Sequence, residues 1–309
     1  MTLYHQDEML ALHQGDASDV LRTLEAGSVG AVVTSPPYFG LRDYGMAGQL
    51  GQEATVAEYV ARLVSTFAEV RRVLADDGVV WLNLGDGYTS KSGPRRQGTT
   101  GLPPKNLIGV PWKVAFALQA DGWWLRNAIV WTKPNAMPYS GTDRLSNVYE
   151  HVFFLAKSDR YAFNLDAVRE PYTGDRTPSR RARKPGPKKA NSITSAWPPP
   201  GHEDRGHNPG DVWAMPTQPF KGAHFAPMPL RLAARCVAAS FTSDCGAHTT
   251  SADAGRGAPG CGAHSTVLDP FCGSGTSLVA SLAAGRRAIG VDLNPEYLSV
   301  ALARCRDGK

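Results

Sequence analysis

The stretch Thr266-Val267-Leu268-Asp269-Pro270-Phe271-Cys272-Gly273-Ser274-Gly275-Thr276 sets the fold class. A short apolar run ends on an acid and a proline, two glycines follow, and an apolar helical pattern starts at Thr276. The unit then repeats, with a strand over Ala288–Asp292 and a helix over Pro295–Cys305. Strands alternating with helices build a mostly parallel sheet, so the chain is α/β.

The same alternation extends towards the N-terminus. Gly30–Thr34 reads as a strand that stops at Ser35-Pro36-Pro37-Tyr38, because proline cannot continue a ladder. Val56, Tyr59, Val60, Leu63, Val64, Phe67, Val70 and Leu74 recur at spacings of three and four, which predicts a long amphipathic helix over 54–74. A turn at Asp76-Asp77-Gly78 leads into a buried strand at Val79–Leu82, and a Gly- and Lys/Arg-rich loop runs over about 85–105. Pro111 opens another helix that Gly122 stops, and residues 123–131 and 147–156 are aromatic-rich strand candidates. A further helix begins at Pro229.

Composition sets the class and locates the charge. The chain has 309 residues, 42% hydrophobic and 20% charged, which are globular values. The 32 glycines and 23 prolines predict long loops. No apolar run approaches the roughly 18 residues of a membrane helix, the N-terminus lacks a signal-peptide pattern, and five cysteines make no disulfide scaffold. A soluble, cytoplasmic protein is expected. Of the 33 basic residues, seven lie in residues 176–189: Arg176, Arg180, Arg181, Arg183, Lys184, Lys188 and Lys189, with no acid among them. The remaining 26 are outnumbered by 28 acids, so the net charge of +5 belongs to one segment. Such a stretch is either a solvated linker or the footprint of a polyanionic partner.

Two motifs carry chemistry. Glycines between a strand and a helix let backbone approach a ligand at the helix N-terminus. Asp292, at the end of the next strand, is placed to bind a ribose hydroxyl or to be an ordinary turn acid. No Gly-Lys-Ser/Thr follows the glycines, which excludes a P-loop, and Leu278 stands where the dinucleotide fingerprint needs a small residue. Ser35-Pro36-Pro37-Tyr38 is either a stiff turn with a packed tyrosine or a site for a planar ring bearing an exocyclic amine. In the second reading Ser35 Oγ and the Pro36 carbonyl accept from the amine while the ring stacks on Tyr38.

Together these motifs resemble the β-class DNA amino-methyltransferases, which transfer a methyl group from S-adenosylmethionine to cytosine N4 or adenine N6. The order is the permuted one, with the catalytic tetrapeptide ahead of the cofactor loop. Gly15-Asp16, Arg72-Val73-Leu74 with Gly78 and Trp81, Trp131–Asn135 and His224–Leu230 are similar to further family segments. The resemblance omits roughly residues 171–221 and 243–264. It implies a Rossmann-like sheet with helices on both faces, divided into a catalytic half (1–170), a basic, loop-rich target-recognition insert (171–221) and a cofactor-binding half (222–309). Ser35, Pro36, Pro37 and Tyr38 would receive a flipped base. Asp16, Asp269, Phe271, Gly273, Gly275, Thr276 and Asp292, with His224 and Pro227, would hold the cofactor. Lys133 and Asn135, with Arg180, Arg181, Arg183, Lys184, Lys188 and Lys189, would contact DNA. Asp16 could equally cap a helix over residues 17–24.

The serine-headed tetrapeptide leans towards cytosine N4, with adenine N6 as the alternative. Duplex DNA is the implied partner, and a second copy of the chain and a cognate restriction nuclease are compatible with it. No Pro-Cys dipeptide occurs, so a C5-cytosine mechanism lacks its nucleophile. A non-catalytic DNA-binding protein on the same fold is the rival from another class. Cys245, His248, Cys261 and His264 form two Cys-x-x-His pairs that could hold zinc, but a low-complexity loop without metal is the reading adopted.

Overall fold

The computed structural model describes residues 1–172, 206–218, 228–241 and 265–308. In chain order its elements are β1 (Thr2–Gln6), β2 (Leu10–Gln14), α1 (Ala17–Leu21), β3 (Val29–Thr34), α2 (Val56–Val73), β4 (Leu74–Leu84), α3 (Gln97–Thr100) and α4 (Val110–Ala120). They continue as β5 (Trp124–Thr132), β6 (Tyr149–Ala156), β7 (Val212–Ala214), α5 (Leu230–Ala239), β8 (Thr266–Asp269), α6 (Thr276–Ala283), β9 (Arg287–Asp292) and α7 (Pro295–Asp307).

One sheet runs in the order β1-β2-β9-β8-β3-β4-β6-β5-β7. Its centre is parallel from β2 through β9, β8 and β3 to β4, and β6 and β5 then pair antiparallel. Strand alternation separates two cores. Val32, Val80, Leu82, Phe153 and Leu155 face α1, α2 and α4. Ala31, Val33, Val79, Trp81 and Phe154 face α5 and α6. A third cluster, including Leu12, Leu278, Ala288 and Leu298, packs α6 and α7 on the β2–β9 end. Helices therefore cover both faces, as the sequence implies.

Three local features depart from the sequence reading. β1 and β2 form an N-terminal hairpin that the sequence does not announce, since β1 is largely exposed and carries no alternating pattern. The turn at 76–78 is absorbed into β4, where the register with β3 jumps from Val29↔Leu74 to Ala31↔Val79. β7, within the stretch read as an insert, adds to the sheet by pairing with β5. Buried Trp213 and Met215 explain why: they fill the core beneath Trp81 and Trp131. The helix at α2 spans the predicted range, with Thr55 capping it through a bond from Glu58 N.

The topology positions the site. β2, β9, β8, β3 and β4 all end on one edge of the sheet, and antiparallel β6 begins there, opposite Leu84 at the end of β4. In open α/β sheets ligands bind outside the carboxyl ends of the strands.

Candidate active site

A cleft of about 780 Å³ opens on that edge. It is lined by Gly15 and Asp16 after β2, Ser35–Tyr38 after β3, Asn83 on β4, Lys133 after β5, Glu150 on β6, and the loops after β8 and β9. Such a volume suits a ligand of drug or nucleoside size.

The β8 loop is held from below. Asp269 is buried and its Oδ1 accepts from Thr34 Oγ1 at 2.7 Å, tying β8 to the strand that carries the Ser35–Tyr38 turn. The same oxygen accepts from Phe271 N at 3.0 Å, and Oδ2 accepts from Ser277 Oγ. Burial pushes the Asp269 carboxyl up to about 6 despite these donors. Asp292 at the end of β9 accepts from Gly273 N at 2.9 Å and from Asn294 N at 2.8 Å, and burial likewise raises it to about 6. A carboxylate has about four acceptor positions, and with Leu293 N as a further donor to Asp292 there is still capacity for a hydroxyl from a ligand in the cleft. Gly275 sits at φ +79°, and a Cβ there would lie 2.8 Å from Ala301 Cβ on α7.

Asp16 caps α1 by accepting from Ser18 N at 2.9 Å, and its other oxygen accepts from Arg62 Nη2 at 3.2 Å. Arg62, on α2, also donates to Glu53 Oε1 and to the carbonyls of Gln49 and Gly48. It thus joins Asp16 to the loop that covers the cleft.

The turn at Ser35–Tyr38 is fixed on several sides. The Pro37 carbonyl accepts from Tyr59 on α2 at 2.9 Å. Tyr38 is half-buried in the cleft wall, and its hydroxyl lies 2.7 Å from Glu150 Oε2, 3.2 Å from Ser35 Oγ and 3.4 Å from Asn83 Oδ1. Burial, and next the Glu150 charge, hold the Tyr38 hydroxyl well above its ordinary range. Gly85 leaves room for the ring, because a Cβ there would meet Tyr38 Cε2 at 2.6 Å. Asn83 Nδ2 donates to Glu150 Oε2 at 3.0 Å, and Lys133 Nζ pairs with Glu150 Oε1.

Residues 29–303 match the family model of N6/N4-type DNA methylases. The chain belongs to that family. The methylase is 42% identical over 308 residues to the type II methyltransferase M.XycI of Xanthomonas campestris pv. cyanopsidis, covering 95% of this chain and 86% of that one. Its fold is similar to the DNA modification methylase TTHA0409 of Thermus thermophilus, solved with S-adenosyl-L-methionine (TM-score 0.58, 24% identity, 96% and 93% of the two chains). It is also similar to the PvuII DNA methyltransferase, described as cytosine-N4-specific (TM-score 0.64, 17% identity, 98% and 88%). The permuted order seen in the sequence is the order in the fold: the turn after β3 precedes the glycine loop after β8.

The methylase gathers Asp16, Ser35–Tyr38, Asp269, Phe271, Gly273, Thr276 and Asp292 around one cleft. Gly275 lies in the same loop, where its lack of a side chain lets α6 pack closely on α7. Lys133 lines the cleft but is paired with Glu150 and lies 4.6 Å over the Trp131 ring. Asn135 also lines it, and its amide bridges Thr217 N and O at 2.8 and 3.0 Å, clasping the chain beyond β7. His224, Pro227, Arg180, Arg181, Arg183, Lys184, Lys188, Lys189 and the Cys245, His248, Cys261, His264 set lie outside the described residues. Among the described residues no cluster of metal-ligating side chains occurs, and no helix is long and apolar enough to cross a membrane.

Sequence reasoning missed Asn83, Glu150, Arg62 and Arg304. An acid opening an otherwise apolar strand was the available signal for Glu150. Arg304, one helix away on α7, donates to Ser274 O at 2.7 Å and to Ser274 Oγ and Thr276 Oγ1 at 3.0 Å, bracing the glycine loop from behind.

Proposed function

We propose that the methylase transfers a methyl group from S-adenosylmethionine to N4 of a flipped cytosine in duplex DNA. The observation that carries this reading is a serine-headed Pro-Pro-Tyr turn opening into the same cleft as the glycine loop, the two joined by the Thr34–Asp269 hydrogen bond. Asp292 holds the ribose hydroxyls, Asp16 receives the adenine amine, and Phe271 and Gly273 flank the methionine part. The cofactor supplies an electrophilic methyl on its sulfonium.

The rest is positioning. Flipping the base costs a few kcal/mol, and stacking on Tyr38 returns roughly 1–3 kcal/mol. An exocyclic amine is a weak nucleophile because its lone pair is delocalised into the ring. Ser35 Oγ and the Pro36 carbonyl accept its two hydrogens, localising that lone pair and directing it at the methyl. As the N–C bond forms the methyl–sulfur bond breaks, and the nitrogen, now cationic, loses a proton. Within residues 171–221 the part ahead of β7 reads DNA, with phosphates on the basic run. The enzyme works in the cytoplasm on the chromosome, alongside a cognate restriction nuclease.

Digesting DNA methylated by the purified protein to nucleosides and weighing the products tests the reading. N4-methylcytosine is expected. N6-methyladenine as sole product would transfer the site to the other target base, and no methylated base on any DNA would favour the binding-protein rival.

A further inference from the structure

Glu150 is unexplained by cofactor binding or by any contact with the base in the function proposed. It stands on the first residues of β6, half-buried in the cleft wall, with every hydrogen-bonding neighbour pointing inwards at its carboxylate. Lys133 Nζ takes Oε1, while Tyr38 Oη and Asn83 Nδ2 take Oε2 at 2.7 and 3.0 Å.

The direction of these bonds follows from counting protons. Tyr38 has one hydroxyl proton and three acceptors near it, and the carboxylate oxygen at 2.7 Å outcompetes Asn83 Oδ1 at 3.4 Å and Ser35 Oγ at 3.2 Å. Tyr38 Oη is then an acceptor towards Ser35, and the only proton available for that contact is the Ser35 hydroxyl's own. With that proton turned to Tyr38, both lone pairs of Ser35 Oγ are left for other donors.

We propose that Glu150 is a positioning residue which, through Tyr38, locks the Ser35 hydroxyl so that Ser35 meets the target amine as an acceptor. The proposal rests on the assignment of Ser35 as the residue that receives that amine. Lys133 pairs with Oε1 of Glu150, and Asn83 occupies the second lone pair of Oε2. The chain Ser35→Tyr38→Glu150 has a single direction as long as position 150 bears an anion.

Glu150→Gln removes the fixed direction without changing shape. The amide has one oxygen for donors that the carboxylate met with two, Lys133 on one side and Tyr38 with Asn83 on the other. With its NH₂ towards Tyr38 the amide donates to Tyr38, whose own proton turns to Ser35 Oγ and fills a lone pair the amine needs. Tyr38→Phe keeps the stacking face and removes the link.

Single-turnover methyl transfer at saturating DNA and S-adenosylmethionine reads the effect. Each variant should be slower by on the order of 10–100-fold, the scale of a misaligned reacting pair. Cofactor affinity, measured by calorimetry, should stay within about twofold. The double variant should be no slower than the slower single one, because both break the same chain. Three results would overturn the proposal: an E150Q rate within about twofold of the unaltered protein, multiplicative losses in the double variant, or a loss of cofactor affinity that matches the loss of rate. The product made by the unaltered protein judges the cytosine reading separately. If that product is N6-methyladenine, the ratios between variants still decide the role of Glu150. An unaltered protein that methylates no DNA would remove both readings.

Discussion

The proposed reaction gives Ser35 and Asp292 different tasks in the cleft, and single substitutions should separate them. On that proposal Ser35→Ala removes an acceptor from the amine and should slow methyl transfer while leaving S-adenosylmethionine affinity nearly unchanged. Asp292→Ala should do the reverse, raising the cofactor Kd more than it lowers the single-turnover rate. In the proposed function, binding through Asp292 should depend on pH. Its carboxyl is pushed up to about 6 by burial, so it takes up a proton as pH falls through that value and loses acceptor capacity for a ribose hydroxyl. Calorimetry should show cofactor affinity falling below about pH 6, and Asp292→Asn should flatten the profile at the weaker level. Stability runs the other way. Asp269 and Asp292 both hold protons to higher pH in the fold than their ordinary 3.8, so the folded state binds more protons between about pH 4 and 6. These two groups therefore contribute a loss of stability as pH rises through that window, complete above about pH 6.

Among the elements, the strand–loop–helix of β8 and α6 depends on neighbours outside it. Gly275 combines a left-handed backbone with a close approach to Ala301, and both oppose any side chain. Gly275→Ala should cost about 1–3 kcal/mol and lower the melting temperature by several degrees, measured by calorimetric scan. This glycine was legible as a loop residue, and its role in helix packing was not, because its neighbour on α7 is remote in the chain. α2 was legible from its periodicity, because the apolar residues at spacings of three and four are those of its buried face. β1 was not, because an exposed edge strand has no apolar alternation to read. β7 was hidden for another reason: three residues give no period, and only the pockets beneath Trp81 and Trp131 explain its place.

On the scale of the molecule, the proposed function gives the basic run and the sheet edge different terms of DNA binding. Residues 176–189 hold seven cations outside the described residues, whereas Lys133 at the cleft is already paired. Neutralising the run should weaken binding and flatten its salt dependence, by about 0.9 in the log–log slope for each phosphate no longer neutralised. Titrations of a labelled duplex at several salt concentrations check this, and an unchanged slope would return the segment to a linker. Lys133→Met should leave the slope alone and act on the reaction rate, because its partner is Glu150 and not a phosphate.

Features that rest on local pattern were already present in the linear chain. The βα alternation names the fold class, the two prolines stop β3 at Ser35, and the glycines open the β8–α6 loop for a ligand. Motif identity and order lead from there to the family. Which side chains finish the site was settled by long-range packing alone. Asn83, Lys133 and Glu150 come from β4, from the chain just after β5 and from β6, and no spacing along the chain links them to Ser35–Tyr38. They converge because β6 runs antiparallel to β4 and brings its first residues to the edge where the parallel strands end. Hydrogen-bond direction at Ser35 is likewise a property of that convergence, since it is set by a carboxylate that lies far along the chain and reaches Ser35 through Tyr38.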